Sequence, residues 1–318
     1  MTTFNGADHL SEQLESFRAQ TRPPDQLVVC DDGSSDSTVA ILEQFAASAP
    51  FQVEIVRNSM NLGHERNFGQ AIDLCRGDII FLADQDDAWF PDKLETVETA
   101  FAEQPDVLLL VNDVAITNDK LVPTGRTVLG QTRAAGVLGP NGKSLTLGCA
   151  TAFRSQLRKL ISPVPPLDYG HDSWIHDFTE MVGGRRVLPK VLQFYRRHDA
   201  NASNWAFNGT ARASPFVMMR PSAGRDLSPE YAKRIRALSL MLERVEALGR
   251  NKFSELRTSR GYDEVIADLE RAVEAVERRS GVFRKGRHSR KLLALQLLAR
   301  GDYRYFLGWR SFVKDLIR

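Results

Sequence analysis

The chain has 318 residues, 42% of them hydrophobic and 26% charged, enough to bury a sizeable core and to suggest about two domains. A formal charge of only +2 excludes the strong overall basicity of a nucleic-acid binder, and no nucleic-acid partner is expected. Cys30, Cys75 and Cys149 lie far apart with no C-x-x-C pair, which excludes a disulfide framework and zinc-ligand spacing and fits a reducing compartment.

Residues 27–31 (LVVCD) form an apolar run ending in acids and predict a strand; 36–48 carry apolar residues at helical spacing and predict the helix after it. The alternation continues with a strand at 52–56, a helix at 65–75, a buried strand at 78–83, a helix at 91–102 opened by proline, and a strand at 107–111. Near-continuous apolar strands alternating with helices predict an α/β fold with a Rossmann-like, mostly parallel sheet covered on both faces. Ligands bind such sheets at the C-terminal strand ends. Residues 113–150 read as turns and short strands, 171–182 as a helix closed by Gly183-Gly184, and 187–196 as extended chain. Beyond about residue 205 the character changes. A Ser/Pro/Gly/Arg stretch at 213–229 leads into helical patterning, with Tyr231, Ile235, Leu238, Leu242 and Val245 on one stripe. The expected organisation is an α/β domain at 1–205, a linker at 206–228 and a helical, basic region at 229–318.

Two acid clusters fall at predicted strand ends. Asp84-Gln85-Asp86-Asp87 crowds three carboxylates whose mutual repulsion calls for a cation or a donor-rich ligand. Mg2+ or Mn2+ suits them, because magnesium in particular binds through one or two carboxylates and completes its shell with water and substrate phosphates. The plainer alternative is solvated acids with Asp87 or Asp92 capping the next helix. Asp31-Asp32-Gly33-Ser34-Ser35-Asp36 ends the earlier strand; it is a tight turn whose acid can accept hydrogen bonds from a base or ribose, or simply a turn and helix cap.

In chain order, Thr3-Phe4-Asn5-Gly6, Asp31-Asp32-Gly33-Ser34, Asn61-x-Gly63 with Arg66-Asn67, and Asp84-x-Asp86-Asp87 resemble the nucleotide-sugar half of family 2 glycosyltransferases of the glycosyltransferase A fold. The resemblance covers roughly residues 1–200. It implies that Thr3, Phe4 and Asn5 contact the nucleotide, that Asp32 reads the base, and that Asp84 lies on the ribose side. It also implies that Asp86 is the metal ligand bridging to the pyrophosphate, with Asn61 and Arg66 in the donor-binding segment and Arg66 on the diphosphate, where a guanidinium pairs with oxygens in a fork. An apolar first strand precedes Thr3 in that family, and only Met1-Thr2 stand here.

His171-Asp172-Ser173-Trp174 and Tyr195-Arg196-Arg197-His198 resemble the rhamnosyltransferase-like branch. By that resemblance Asp172 is the catalytic base that takes the acceptor proton in an inverting transfer, and also a candidate helix cap. His198 is a further metal ligand, with an adjacent arginine on the pyrophosphate. Gly148 borders the donor sugar, and Trp174 lines the acceptor pocket. The expected activity moves rhamnose from a deoxythymidine diphosphate donor to a saccharide or lipid-linked acceptor in cell-surface polysaccharide assembly. A nucleotidyltransferase, or a non-catalytic sugar- or membrane-binding protein of the same fold, is the alternative.

Residues 281–318 carry ten Lys/Arg against Asp302 and Asp315, interleaved with leucines and aromatics, a composition for a helix lying on an anionic membrane surface or packed with its basic face in solvent. No apolar run reaches the roughly 18 residues of a membrane span, and no secretion signal opens the chain. The expected location is cytoplasmic, or peripheral on the inner face of the cell membrane.

Overall fold

A computed structural model describes residues 1–136, 145–198, 227–282 and 287–317, so 206–226 of the expected linker fall outside the described residues. The chain divides into two compact units. One comprises Met1–Pro166, Gly170–Asn204 and Leu256–Ser259; the other comprises Leu167–Tyr169, Trp205–Glu255 and Arg260–Arg318.

In the first unit, β1 (Thr2–Thr3), β2 (Gln26–Asp31) and β3 (Gln52–Arg57) form a parallel sheet in the order β1-β2-β3. A second sheet contains β4 (Ile79–Phe81), β5 (Ala88–Trp89), β6 (Leu109–Thr117), β7 (Pro123–Thr127), β8 (Thr151–Arg154) and β9 (Arg185–Arg196), ordered β4-β8-β6-β9-β5 with β7 on β6. There β6 and β9 run parallel while the other pairs are antiparallel. The connecting helices are α1 (Ala7–Arg18), α2 (Thr38–Ala46), α3 (His64–Leu74), α4 (Lys93–Glu103), α5 (Val128–Ala134), α6 (Arg158–Ile161) and α7 (His171–Met181). Leu10, Leu14 and Phe17 of α1 pack with Val29 of β2, Leu42 and Phe45 of α2, and Trp89 of β5. Val97 and Phe101 of α4 pack with Leu110, Ala152 and Leu192 from β6, β8 and β9.

Two departures from expectation share a cause. The strand expected at 107–111 begins at Leu109 and runs on to Thr117 because Asn112 and Asp113, which break the apolar run, are buried and satisfied locally. Asn112 donates to the Asp113 carbonyl at 2.7 Å, and Asp113 Oδ1 accepts from the amides of Val114 and Leu129, each at 2.8 Å. The Leu129 bond also holds α5, which lies in a stretch read as turns and is capped by Thr127 Oγ1 accepting from the Gly130 amide at 3.0 Å.

The second unit is helical: α8 (Ser228–Ser254), α9 (Tyr262–Val282), α10 (Arg287–Ala299) and α11 (Trp309–Ile317). On the expected stripe Tyr231, Leu238 and Val245 are buried, Ile235 and Leu242 are half-buried, and Ala237 and Met241 complete the face. Gly249, at φ 74°, breaks the helical path of α8 in a conformation that favours glycine. Buried Arg279 of α9 pairs in a fork with Asp315 of α11 at 2.8 and 3.1 Å, and Tyr303 donates to the same carboxylate at 2.9 Å.

Candidate active site

The turn after β2 is built on Asp31. Thr3 Oγ1, the Ser34 amide and Ser34 Oγ all donate to its fully buried carboxylate, at 2.8, 2.9 and 2.5 Å. Asp32 is 3% exposed and accepts from Asn58 Nδ2 at 3.0 Å, the Leu62 amide at 2.7 Å and the Gly63 amide at 2.9 Å. The acid assigned to the base is therefore engaged by its own chain and anchors the 58–63 loop. Asn61, exposed on that loop, donates to the Asp32 carbonyl at 3.3 Å, and Arg66 is exposed one turn further along, on α3.

The end of β1 meets the acid loop through Gln85. The Phe4 amide donates to Gln85 Oε1 at 2.9 Å, and Gln85 Nε2 donates back to the Phe4 carbonyl at 3.1 Å. A Cβ on Gly6 would lie 2.3 Å from the end of the Gln85 side chain, which would have to swing away from Phe4 to admit it. Asn5 adopts φ 46°; its amide donates to Ser34 Oγ and its Oδ1 accepts from the Ser35 amide, both at 2.9 Å. Thr3, Phe4 and Asn5 thus reach the same end of the sheet as the acid loop, with the Phe4 ring exposed.

Within that loop Asp87 is fully buried. It accepts from Gln193 Nε2 at 2.8 Å and the Arg196 amide at 3.2 Å, and burial pushes its carboxyl up to about 7. Lys93 behind it is 1% exposed, donates to Gln193 Oε1, and stands 3.9 Å over the Trp89 ring; burial lowers its ammonium to about 7. Asp84 is half-buried, and desolvation, followed by the charges of Asp86, Asp87 and Asp172, holds its carboxyl well above the ordinary range. Asp86 Oδ2 lies 2.8 Å from His198 Nε2, with both side chains largely shielded. Arg196 is buried and engaged by the fold, donating to the Asp86 carbonyl at 2.7 Å and to Glu12.

Asp172 is half-buried in the first turn of α7, where the Ser173 amide donates to its Oδ1 at 2.7 Å and burial raises its pKa. Gly170 occupies the N-cap position, so Asp172 is not the cap. His171 stacks on Phe68 with ring centroids 4.1 Å apart, and burial keeps it neutral. A Cβ on Gly148 would lie 3.3 Å from His171 Nε2 and 3.6 Å from Asp172 Cβ, so Gly148 does border this helix start. Trp174 needs correction. It is 1% exposed, its indole N–H donates to the Ile161 carbonyl at 3.0 Å, and it meets Phe178 edge-on, which leaves no face for a sugar.

Two donor sets are candidates for a divalent cation. Donor atoms of Asp84, Asp87 and Cys149 lie within 4.8 Å of one another, but Asp87 is engaged by Gln193 and Arg196, and burial keeps the Cys149 thiol protonated. A soft sulfur suits Mg2+ or Mn2+ poorly. Asp86 and His198 fit better, as an oxygen and an imidazole nitrogen converge at the edge of the cleft. Gln85, Lys93 and Gln193 are the residues that sequence reasoning missed; their importance lies in partners 56 to 106 residues distant, which no local pattern encodes.

A family model described as glycosyl transferase family 2 matches residues 1–161, half of the chain. The chain belongs to glycosyl transferase family 2. This glycosyltransferase is 25% identical over 239 residues to an uncharacterized glycosyltransferase of Nostoc sp., covering 73% of this chain and 72% of that protein. It is 35% identical over 99 residues to dTDP-rhamnosyl transferase RfbG of Shigella flexneri, a match that spans 30% of this chain and 34% of RfbG. In fold it resembles Staphylococcus aureus TarS, solved with UDP, at a TM-score of 0.57 and 14% identity, covering 99% of this chain and 86% of that one. The architecture is the glycosyltransferase A type, and the enzyme transfers a sugar from a nucleotide-activated donor. Family membership sets aside the nucleotidyltransferase and non-catalytic readings.

Proposed function

We propose that this glycosyltransferase is an inverting, metal-dependent enzyme that moves rhamnose from a deoxythymidine diphosphate donor to a saccharide or lipid-linked acceptor in cell-surface polysaccharide assembly. The observation that carries the reading is the convergence of Asp84 and Asp86 from the loop after β4 with Asp172 from the start of α7, near enough that the charges of Asp86 and Asp172 both raise Asp84. A donor diphosphate beside Asp86 then leaves Asp172 near the anomeric carbon, with Gly148 giving the sugar ring room next to His171.

Asp172 takes the acceptor hydroxyl's proton on a carboxylate oxygen as the acceptor oxygen attacks the anomeric carbon and the nucleoside diphosphate departs, so configuration inverts. Asp86 and His198 would hold a divalent cation, which would supply charge neutralisation for the departing diphosphate. Asp84 lies on the ribose side, Thr3, Phe4, Asn5 and Asn61 frame the nucleotide, and Arg66 meets the diphosphate. Rhamnose as the sugar is supported by the likeness to RfbG and by the His171–Trp174 and Tyr195–His198 segments. Peripheral attachment to the inner membrane face is supported by the basic, apolar C-terminal region; no helix among the described residues is long and apolar enough to cross a membrane.

The test is a thermal-shift screen against nucleoside diphosphates and their sugars, with and without Mg2+ or Mn2+, on the native protein and Asp86→Ala. Turnover with the donor so found is then followed by NMR of the product anomer. Ligand at 100 times its Kd adds about 2.7 kcal/mol of stability, and this gain should need metal and vanish in Asp86→Ala. Metal-indifferent donor binding, or a product that keeps the donor's anomeric configuration, would sink the scheme.

A further inference from the structure

His171 opens α7, and the first two turns of α3 hold its imidazole in place. Phe68 stacks on the ring with centroids 4.1 Å apart and planes 8° from parallel, and His64 meets it at a steep angle with centroids 4.9 Å apart. Glu65 Oε1 accepts from the Gly170 amide at 2.5 Å, so the residue before His171 is tied to the same helix. The ring is 3% exposed.

One atom of this fixed ring is unsatisfied. His171 Nε2 is buried and has no hydrogen-bond partner among the described residues. Folded proteins leave few buried polar atoms in that state, because each forfeits its bonds to water. The hydrogen of Gly148 that a side chain would replace points at the same edge of the ring: a Cβ there would stand 3.3 Å from Nε2, 3.8 Å from Cε1 and 3.6 Å from Asp172 Cβ. A side chain at 148 would cover Nε2, whereas glycine presents only hydrogens and lets a ligand come close to the backbone.

The surroundings select the chemistry of that ligand. Burial keeps the imidazole neutral, so it carries one N–H and one lone pair, and a hydroxyl, which both donates and accepts, can bond Nε2 in either tautomer. An anionic group is disfavoured: Asp172 is the adjacent residue, and its charge, with those of Asp86 and Asp87, adds to desolvation in raising Asp84. Given a donor sugar beside Gly148 and Asp172 as the base, the reading on which this step rests, we propose that His171 Nε2 hydrogen-bonds a ring hydroxyl of the donor sugar across the bare face of Gly148. His171 then selects the sugar and is indifferent to the nucleotide. A donor without a hydroxyl at that place leaves the nitrogen unpaired and is rejected on that account.

The test titrates dTDP, UDP and GDP, and dTDP-rhamnose, UDP-GlcNAc and GDP-mannose, into the native protein, His171→Leu and His171→Gln by calorimetry with Mn2+ present. For the pair that binds native protein, His171→Leu should weaken the sugar nucleotide about tenfold, the scale of one hydrogen bond lost, and leave the free diphosphate within about twofold. His171→Gln, which carries an amide out toward the place of Nε2, should recover most of the loss. Should His171→Leu fold poorly, His171→Met carries the same comparison. A residue held only for the fold would weaken both ligands or neither, and either result overturns the role of His171 while the donor site stands. Failure of every nucleotide to bind native protein overturns the donor-site reading, and this contact with it.

Discussion

In the proposed mechanism Asp172, as the base, bears the largest chemical demand of any single side chain. Burial raises its pKa, which makes it a stronger base once ionised but requires a higher pH to ionise it. The sign follows directly: the active form of the proposed base is the carboxylate, so kcat/KM should be full above the raised pKa and fall about tenfold per pH unit below it. The acid limb should therefore lie above the ordinary carboxylate range. Asp172→Asn keeps the side chain's shape and an oxygen for the Ser173 amide, so donor binding by thermal shift should survive while kcat falls by about 10²–10⁴ and the acid limb disappears. An unchanged acid limb in Asp172→Asn would assign the base elsewhere. The same scale shows what one residue's neighbours conceal: in the sequence Trp174 looks like a sugar platform, and only its partner Ile161 reveals a core residue.

Among elements, β9 and the loop after β4 are joined by a buried relay in which Lys93 donates to Gln193 and Gln193 donates to Asp87. Gln193→Leu keeps the volume roughly constant but strands an ammonium and a carboxyl in the core. The expected cost is about 2–4 kcal/mol, at the level of buried groups left unsatisfied, read as a lowered urea midpoint with an unchanged m-value. A cost under about 0.5 kcal/mol would mean that water replaces the amide without loss. The strands β2, β3 and β4 and the helices α2, α3 and α4 were legible because each repeats an apolar period, whereas β1, α1 and β5 were not read. The relay, the length of β6 and the existence of α5 were not, because each depends on polar residues whose partners are distant in sequence. In the site, the acid loop could be marked as a candidate from its place at a strand end and the His171-Asp172 pair from the family resemblance, whereas the engagement of Asp32 by Leu62 and Gly63 could not be read.

For the whole molecule, the near-neutral total of +2 conceals a basic segment whose apolar residues are not all packed away. On α10, Leu292, Leu295 and Leu298 are exposed while Ala294 and Leu297 on the other side of the helix are buried, and Trp309 at the start of α11 is 65% exposed. Lys291, Arg300, Arg310 and Lys314 are interspersed among them. An anionic bilayer accommodates both features, since each basic residue near its surface contributes about 1 kcal/mol and the leucines enter the headgroup boundary. The triple variant Leu292→Ser, Leu295→Ser, Leu298→Ser removes only exposed apolar surface, so its unfolding midpoint should hold. Its partitioning onto anionic vesicles should drop at least about tenfold, equivalent to about 1.4 kcal/mol. Native protein should bind neutral vesicles weakly and lose most anionic binding at 0.5 M salt, an ionic strength of order that shortens the screening length to about 4 Å. Sedimentation that is indifferent to lipid charge, to salt and to the three leucines would leave this surface facing water and the acceptor without a lipid anchor.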